Sequence, residues 1–205
     1  MALKEGWQGR VFEDFEVGDV YRHPLGRTIT QTDNIWFTLL TVNNNPIHFD
    51  AAYAARTEWG RPLVDSTLTL AIATGLSVTD ISLNAINLGW DEVRLPNPLF
   101  EGDTLYAQSE VLETRESRSR PHMGIVRLRT TGYKQDGGVV IEFIRAVMVY
   151  RRGHVPKDFR PEPRPDPSPP SPLPSHSHPT GRGEKSREGA PLSQGKGVRL
   201  ERGRG

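Results

Sequence analysis

The 205-residue chain contains no cysteine. That absence removes disulfides, thiolate metal sites and cysteine nucleophiles from consideration, and it fits a reducing compartment. Long apolar runs are also missing: no window approaches the roughly 20 apolar residues of a membrane span. Residues 1–10 hold no apolar core of signal-peptide length. The expectation is a cytoplasmic protein with no membrane partner. Nor is there an excess of one charge, since the formal net charge is +1. Residues 154–205 carry ten Lys/Arg against six Asp/Glu, and residues 1–153 carry 16 against 19. A weakly acidic body of this kind offers no electrostatic footprint for nucleic acid.

Proline is scarce in most of the chain and dense in one stretch. Eleven of the 17 prolines fall between Pro156 and Pro191. Residues 1–152 alternate apolar-periodic segments with turn signals and read as one folded domain. Residues 153–205 contain almost no large apolar side chains, so burial cannot offset the entropy of ordering, and an extended, disordered tail is expected. His176 and His178 in that tail, and its PxxP-like stretches, read as solvated chain. Weak metal binding or docking to a proline-reading partner are the alternatives.

Within the body, residues 19–30 read as a first strand. Thr30, Gln31, Thr32, Asp33 and Asn34 open a helix with capping residues, and Ile35, Trp36, Leu39 and Leu40 are expected on one apolar face. That helix must end before Asn45, because the residue preceding Pro46 is driven out of the α region. A short helix is expected over 51–57. The run from Ser66 to Leu76 is apolar nearly all round and reads as a helix packed on every side. Four β-like runs follow, at 85–94, 104–115, 125–133 and 139–151, and Gln135-Asp136-Gly137-Gly138 signals a hairpin. The class is α+β: an antiparallel sheet wrapped around a central apolar helix.

Asn43 to His48 pack three amides, a proline and an imidazole between two helical segments. Such polarity makes a poor core segment, and histidine is the side chain best suited to exchange protons near neutral pH. On the chemistry alone two readings stay open: His48 as acid/base, or His48 capping a turn while the asparagines satisfy buried backbone. The second feature is the start of the apolar helix at Asp65-Ser66. A helix N-terminus offers free N–H groups and a positive dipole end to an oxyanion, or it is simply capped by Asp65 or Ser66.

The stretch Asn45-Pro46-Ile47-His48-Phe49-Asp50, with Tyr53, Ala54, Thr57, Gly60 and the helix start at Ser66, resembles the hydratase motif of MaoC-like, (R)-specific enoyl-CoA hydratases. Residues 95–103 look like that family's strand-turn-strand segment. Residues 81–89, 102–105, 117–120 and 145–152 are similar to mesaconyl-CoA hydratases (β-methylmalyl-CoA dehydratases). The resemblance spans about residues 10–152. It implies a single hot-dog fold, a CoA thioester as substrate, and a homodimer or higher homo-oligomer. It implies no metal and no redox cofactor. It also places a catalytic histidine at His48, a second catalytic position at Asn43, a backbone N–H for the thioester oxygen at Ser66, and a small hydroxyl near the site at Thr74. Asn45 belongs to the same motif and is taken with Thr74 as substrate-binding. Arg61 and Arg94 are candidate partners for a substrate carboxylate, against ordinary surface arginines. Arg115, Arg118 and Arg120 read as a solvated basic loop, with CoA phosphates as the alternative.

Asn43 departs from the aspartate usual at its position. Asparagine accepts no proton, so Asn43 orients a water and His48 alone titrates. One explanation is a substrate carrying its own carboxylate, which a nearby aspartate would repel by about 4 kcal/mol at 4 Å and an effective dielectric of 20. Reversible hydration of a short branched or dicarboxylic enoyl-CoA is therefore the leading expectation. A non-catalytic acyl-CoA-binding or partner subunit, and a hot-dog thioesterase, are the alternatives.

Overall fold

The computed structural model describes residues 4–156. The expected disordered tail falls almost wholly outside the described residues, as do His176 and His178. No helix among the described residues is long and apolar enough to cross a membrane.

Three long strands form the body of the sheet: β4 (Thr104–Glu116), β5 (Met123–Lys134) and β6 (Val139–Tyr150). Their side chains alternate between buried and half-buried, as a sheet with one covered face requires. The β5–β6 turn closes where foreseen, with Gly137 at φ +85° and Asp136 Oδ1 accepting from the Gly138 N–H at 2.9 Å. β3 (Ala85–Arg94) lies beyond β6 at one edge, and β1 (Val20–Arg22) lies beyond β4 at the other. All pairings are antiparallel. The expected first strand is split, because His23-Pro24-Leu25-Gly26 breaks the ladder before β2 (Arg27–Thr28) resumes on β4. At Gly26 the chain passes so close to Tyr106 that a side chain is excluded: a Cβ there would lie 2.5 Å from the ring.

Helix α1 (Gln31–Thr41) starts at an N-cap on Thr30, whose side chain accepts from the Asp33 N–H while Asp33 answers to Thr30 N. Helix α2 (Ala51–Ala54) is a single turn, shorter than expected. Helix α3 (Ser66–Leu76) crosses the concave face of the sheet, capped by Asp65. A sheet wrapped around one helix is the hot-dog arrangement.

On α1 the buried residues are Asn34 and Thr38, while Trp36, Leu39 and Leu40 of the expected apolar face stand in solvent. One packing expectation needs correction. α3 is not packed on every side: Leu68, Thr69 and Ala73 are buried, but Thr67, Ala71 and Gly75 are exposed among the described residues.

The core is divided in two. Leu68, Leu105, Ile141 and Phe143 belong to one buried cluster, and Val111, Val126, Leu128, Val147 and Val149 to another. Between them a polar belt crosses the inner face at Ser109, Thr130 and Arg145. His23 joins the belt, with Nδ1 3.0 Å from Asp80 Oδ2 and Nε2 3.0 Å from Ser109 Oγ. A carboxylate only accepts, so Nδ1 carries the proton, and Nε2 accepts from the Ser109 hydroxyl. Burial holds the His23 pKa below its usual value. It outweighs the Asp80 carboxylate, which pulls the other way, and the Arg145 and Arg10 charges add to the lowering.

That has a thermodynamic consequence. A histidine with a lowered folded pKa is protonated more readily in the unfolded chain. Its contribution is therefore present above the unfolded value of about 6.5 and lost as pH falls towards the folded one. The melting temperature is expected to fall between pH 7 and pH 5 more steeply in the parent than in His23→Asn. Equal slopes in a calorimetric pH series would contradict this.

Candidate active site

The segment from Val42 to Phe49 is built by interruption. Val42 closes α1 in the left-handed region, at φ 58°, a conformation strained for a β-branched residue. The chain then reverses, and Pro46 opens a one-turn 3₁₀ helix, Pro46–His48. Asn45 caps it, its Oδ1 accepting from the Ile47 N–H at 3.2 Å. The Asn45 side chain expected to bind substrate is thus engaged in holding His48's own turn.

His48 is buried, and its Nδ1 lies 2.8 Å from the Leu63 carbonyl. A carbonyl cannot donate, so Nδ1 carries the proton and the lone pair is on Nε2. Nε2 has no hydrogen-bond partner among the described residues. This is the tautomer and orientation a general base requires.

Asn43 is fixed just as firmly. Its Nδ2 donates to Asp65 Oδ2 at 2.5 Å, and its Oδ1 accepts from the Asn45 N–H at 3.2 Å. The donor end must face the carboxylate, so the amide orientation is settled, and Oδ1 keeps one lone pair for a water. Asp65 is almost wholly buried. Its other oxygen accepts from the Thr67 N–H (2.7 Å), the Thr67 hydroxyl and the Leu68 N–H (3.1 Å). Burial raises the Asp65 pKa, but the hydrogen bonds from Thr67, Asn43 and Leu68 outweigh it and leave the carboxyl below its usual range. The negative charge that Asn43 removes from its own position therefore stands one hydrogen bond away.

Ser66 opens α3, and the Asp65 cap takes the N–H groups of Thr67 and Leu68 but not that of Ser66. Ser66 lines a small cavity of about 150 Å³ with Trp59, Leu63, Thr69 and the 95–99 turn. An apolar groove of about 390 Å³ runs past Asn43, Asn44, Leu39 and Phe49. The groove is within the size range of ligand pockets, and the Ser66 cavity is smaller.

The residue that joins these parts is Asn34, on the buried face of α1. Its Nδ2 donates to the carbonyls of His48 (2.8 Å) and Leu63 (3.0 Å), and its Oδ1 accepts from the Asp65 N–H at 2.9 Å. One amide thus fastens α1, the His48 turn and the α3 entry together. Asn34 and Asp65 were not among the expected site residues. The available signal was an asparagine, a weak helix former, inside a helix.

The other expected residues are placed elsewhere. The Arg61 guanidinium lies over the Phe100 ring, 3.9 Å from its centroid. Arg94 is exposed, 3.9 Å from Glu92, in a separate cleft with Arg129 and Glu142. Thr74 is on α3 with a buried hydroxyl that has no partner among the described residues. Ser109, His23 and Asp80 have the connectivity of a hydrolase triad, but Ser109 is fully buried and bonded to Thr130 at 2.9 Å, so no acyl group reaches it.

A family profile described as mesaconyl-CoA hydratase matches residues 3–167. The chain belongs to the mesaconyl-CoA hydratase family. It is 34% identical over 145 residues to a mesaconyl-CoA hydratase of Cereibacter sphaeroides. It is 37% identical over 145 residues to a β-methylmalyl-CoA dehydratase of Chloroflexus aurantiacus. Both matches cover 70% of this chain, but only 42% and 41% of those relatives. Among solved structures, a MaoC domain protein of Chloroflexus aurantiacus is 34% identical, with a TM-score of 0.69 over 78% of this chain and 46% of that one. This member of the mesaconyl-CoA hydratase family thus matches less than half the length of those proteins.

Proposed function

We propose that the chain catalyses reversible hydration of an enoyl-CoA thioester, with a short dicarboxylic acyl group of the mesaconyl kind as substrate. The observation that carries this reading is the His48 imidazole, held through Nδ1 by Leu63 O so that its Nε2 has no hydrogen-bond partner among the described residues. Water bonded to Nε2 and to Asn43 Oδ1 attacks the β-carbon. His48 takes the water's proton and delivers it to the α-carbon as the C=C bond opens. The Ser66 N–H and the positive end of α3 stabilise the thioester oxygen as it gains charge. No metal or redox cofactor enters this reaction.

The active form in this proposal is a pair of hot-dog units. β3 presents ten residues at a sheet edge that no other strand among the described residues pairs, with Ile86, Leu88, Trp90 and Val93 exposed on it. A long apolar edge of this kind is a template for another strand. The occupant proposed is a second copy of this chain, since the relatives named above are more than twice the matched length. A cytoplasmic location is proposed with it.

The test is the enoyl-thioester absorbance of crotonyl-CoA and mesaconyl-CoA. Loss of the band without release of CoA is the expected result. A second reading, a non-catalytic acyl-CoA-binding partner, draws on Asn43, which accepts no proton. Binding of either thioester without turnover would favour it, and release of free CoA would point to a thioesterase.

A further inference from the structure

Arg145 is the least satisfied buried charge among the described residues. It is only 4% exposed on the inner face of β6, and among the described residues it has no ion pair. Its Nε donates to Asn87 Oδ1 at 2.7 Å and its Nη1 to Ser77 Oγ at 2.9 Å. The Ser77 hydroxyl spends its own proton on Thr74 O, at 2.7 Å. A guanidinium has five N–H donors, so three find no partner among the described residues. Asp80, the belt's carboxylate, is engaged by His23. Burial alone pushes the Arg145 pKa down to about 10, with no anion opposing it. Buried charges are ordinarily paired.

A second polar group is unpartnered on the same side of α3. Thr74 Oγ1 is buried without a hydrogen bond among the described residues, one turn before Ser77. Space is open on the β3 side: a Cβ at Gly89, two residues from Asn87, would meet nothing within 4 Å. A buried cation with free donors, an idle hydroxyl and adjoining space suit a planar carboxylate, which a guanidinium binds through two parallel hydrogen bonds.

We propose that Arg145, with Thr74, Ser77 and Asn87, binds the free carboxylate of a dicarboxylic acyl-CoA whose thioester end reacts at His48 of a paired unit. This rests on the acyl-CoA reading above and adds what selects the acyl group. Reach decides which unit is served. From Ser66 to Ser77, α3 rises by about 16 Å, whereas at about 1.5 Å per C–C bond a four-carbon acyl group spans only about 4 Å. In the proposed pair, a two-fold axis between antiparallel β3 edges turns α3 end for end, so the Ser77 end of one helix lies towards the Ser66 end of the other.

The test uses thioesters that cannot be hydrated, so it does not depend on turnover. Succinyl-CoA and butyryl-CoA have equal chain length and differ in the free carboxylate. In calorimetric titration the parent protein is expected to prefer succinyl-CoA by about 10- to 100-fold, the range of a charge-assisted hydrogen-bonded pair. Arg145→Met brings that ratio close to one, and Arg145→Lys restores part of it. Should Arg145→Met fail to fold, Ser77→Ala and Thr74→Val each lower the ratio severalfold. A parent protein with no preference, or a preference that folded Arg145→Met retains, overturns the pocket. Failure to hydrate crotonyl-CoA would count against the hydratase reading alone. Mixing His48→Ala chains with Arg145→Met chains is expected to restore mesaconyl-CoA hydration above either variant by itself, and no gain on mixing overturns the cross-unit assignment.

Discussion

His48→Ala is expected to lower kcat for enoyl-CoA hydration by about 10²–10⁴-fold, the usual contribution of a positioned acid/base. His48 is the only titrating group in the Asn43-to-His48 segment, so no neighbour there takes over its proton transfer. The loss is not one of folding. The Leu63 carbonyl keeps its bond from Asn34, and the His48 backbone carbonyl is held by Asn34 whatever the side chain. A second variant separates positioning from proton transfer. His48→Asn preserves an N–H that can reach Leu63 O but supplies no base. It should melt close to the parent and be as inactive as the alanine variant. Turnover retained by either variant would remove His48 from the mechanism.

The second large effect is at Asn43. Asn43→Asp sets a carboxylate against Asp65 at the 2.5 Å separation now bridged by an N–H. Two carboxylates at that distance cannot both stay ionised, and one pKa rises. A carboxyl with a raised folded pKa contributes stability at low pH and loses it as pH rises past the unfolded value of about 4. The variant is therefore expected to melt lower than the parent at pH 7, and to recover towards pH 4. Activity should fall for crotonyl-CoA and mesaconyl-CoA alike. The exchange Asn43→Asp with Asp65→Asn returns one carboxylate and one amide to the contact. Asparagine is also a good N-cap, so the exchange should regain most of the stability. If Asn43→Asp is as stable as the parent and impairs mesaconyl-CoA alone, repulsion of the substrate's own carboxylate explains Asn43 instead.

These residues mark the boundary of what sequence reading reaches. The four long strands and the helix starts at Gln31 and Ser66 follow from period-two alternation, capping residues and turn chemistry, which are local signals. The histidine turn was visible because Pro46 and three amides cannot form a core segment. The groups that hold the site are joined across 22 residues, for Asn43 and Asp65, and 31, for Asn34 and Asp65. No local pattern encodes such pairs. Arg145 is intermediate. Its phase with Phe143 and Val147 places it inward on β6, but only the packed sheet shows that it is buried between two apolar clusters without a carboxylate. The periodicity of α1 gives an apolar stripe at Trp36, Leu39 and Leu40 but not its burial, and in the fold those three side chains stand in solvent while Asn34 and Thr38 face inward.

The account is tested most directly by product analysis. Mesaconyl-CoA incubated with the protein in heavy-oxygen water, followed by mass spectrometry, is predicted to give a hydrated thioester with the heavy oxygen on the β-carbon, formed by the parent and not by His48→Asn. Unchanged mesaconyl-CoA with the parent protein, or the same hydrate formed by His48→Asn, would contradict it.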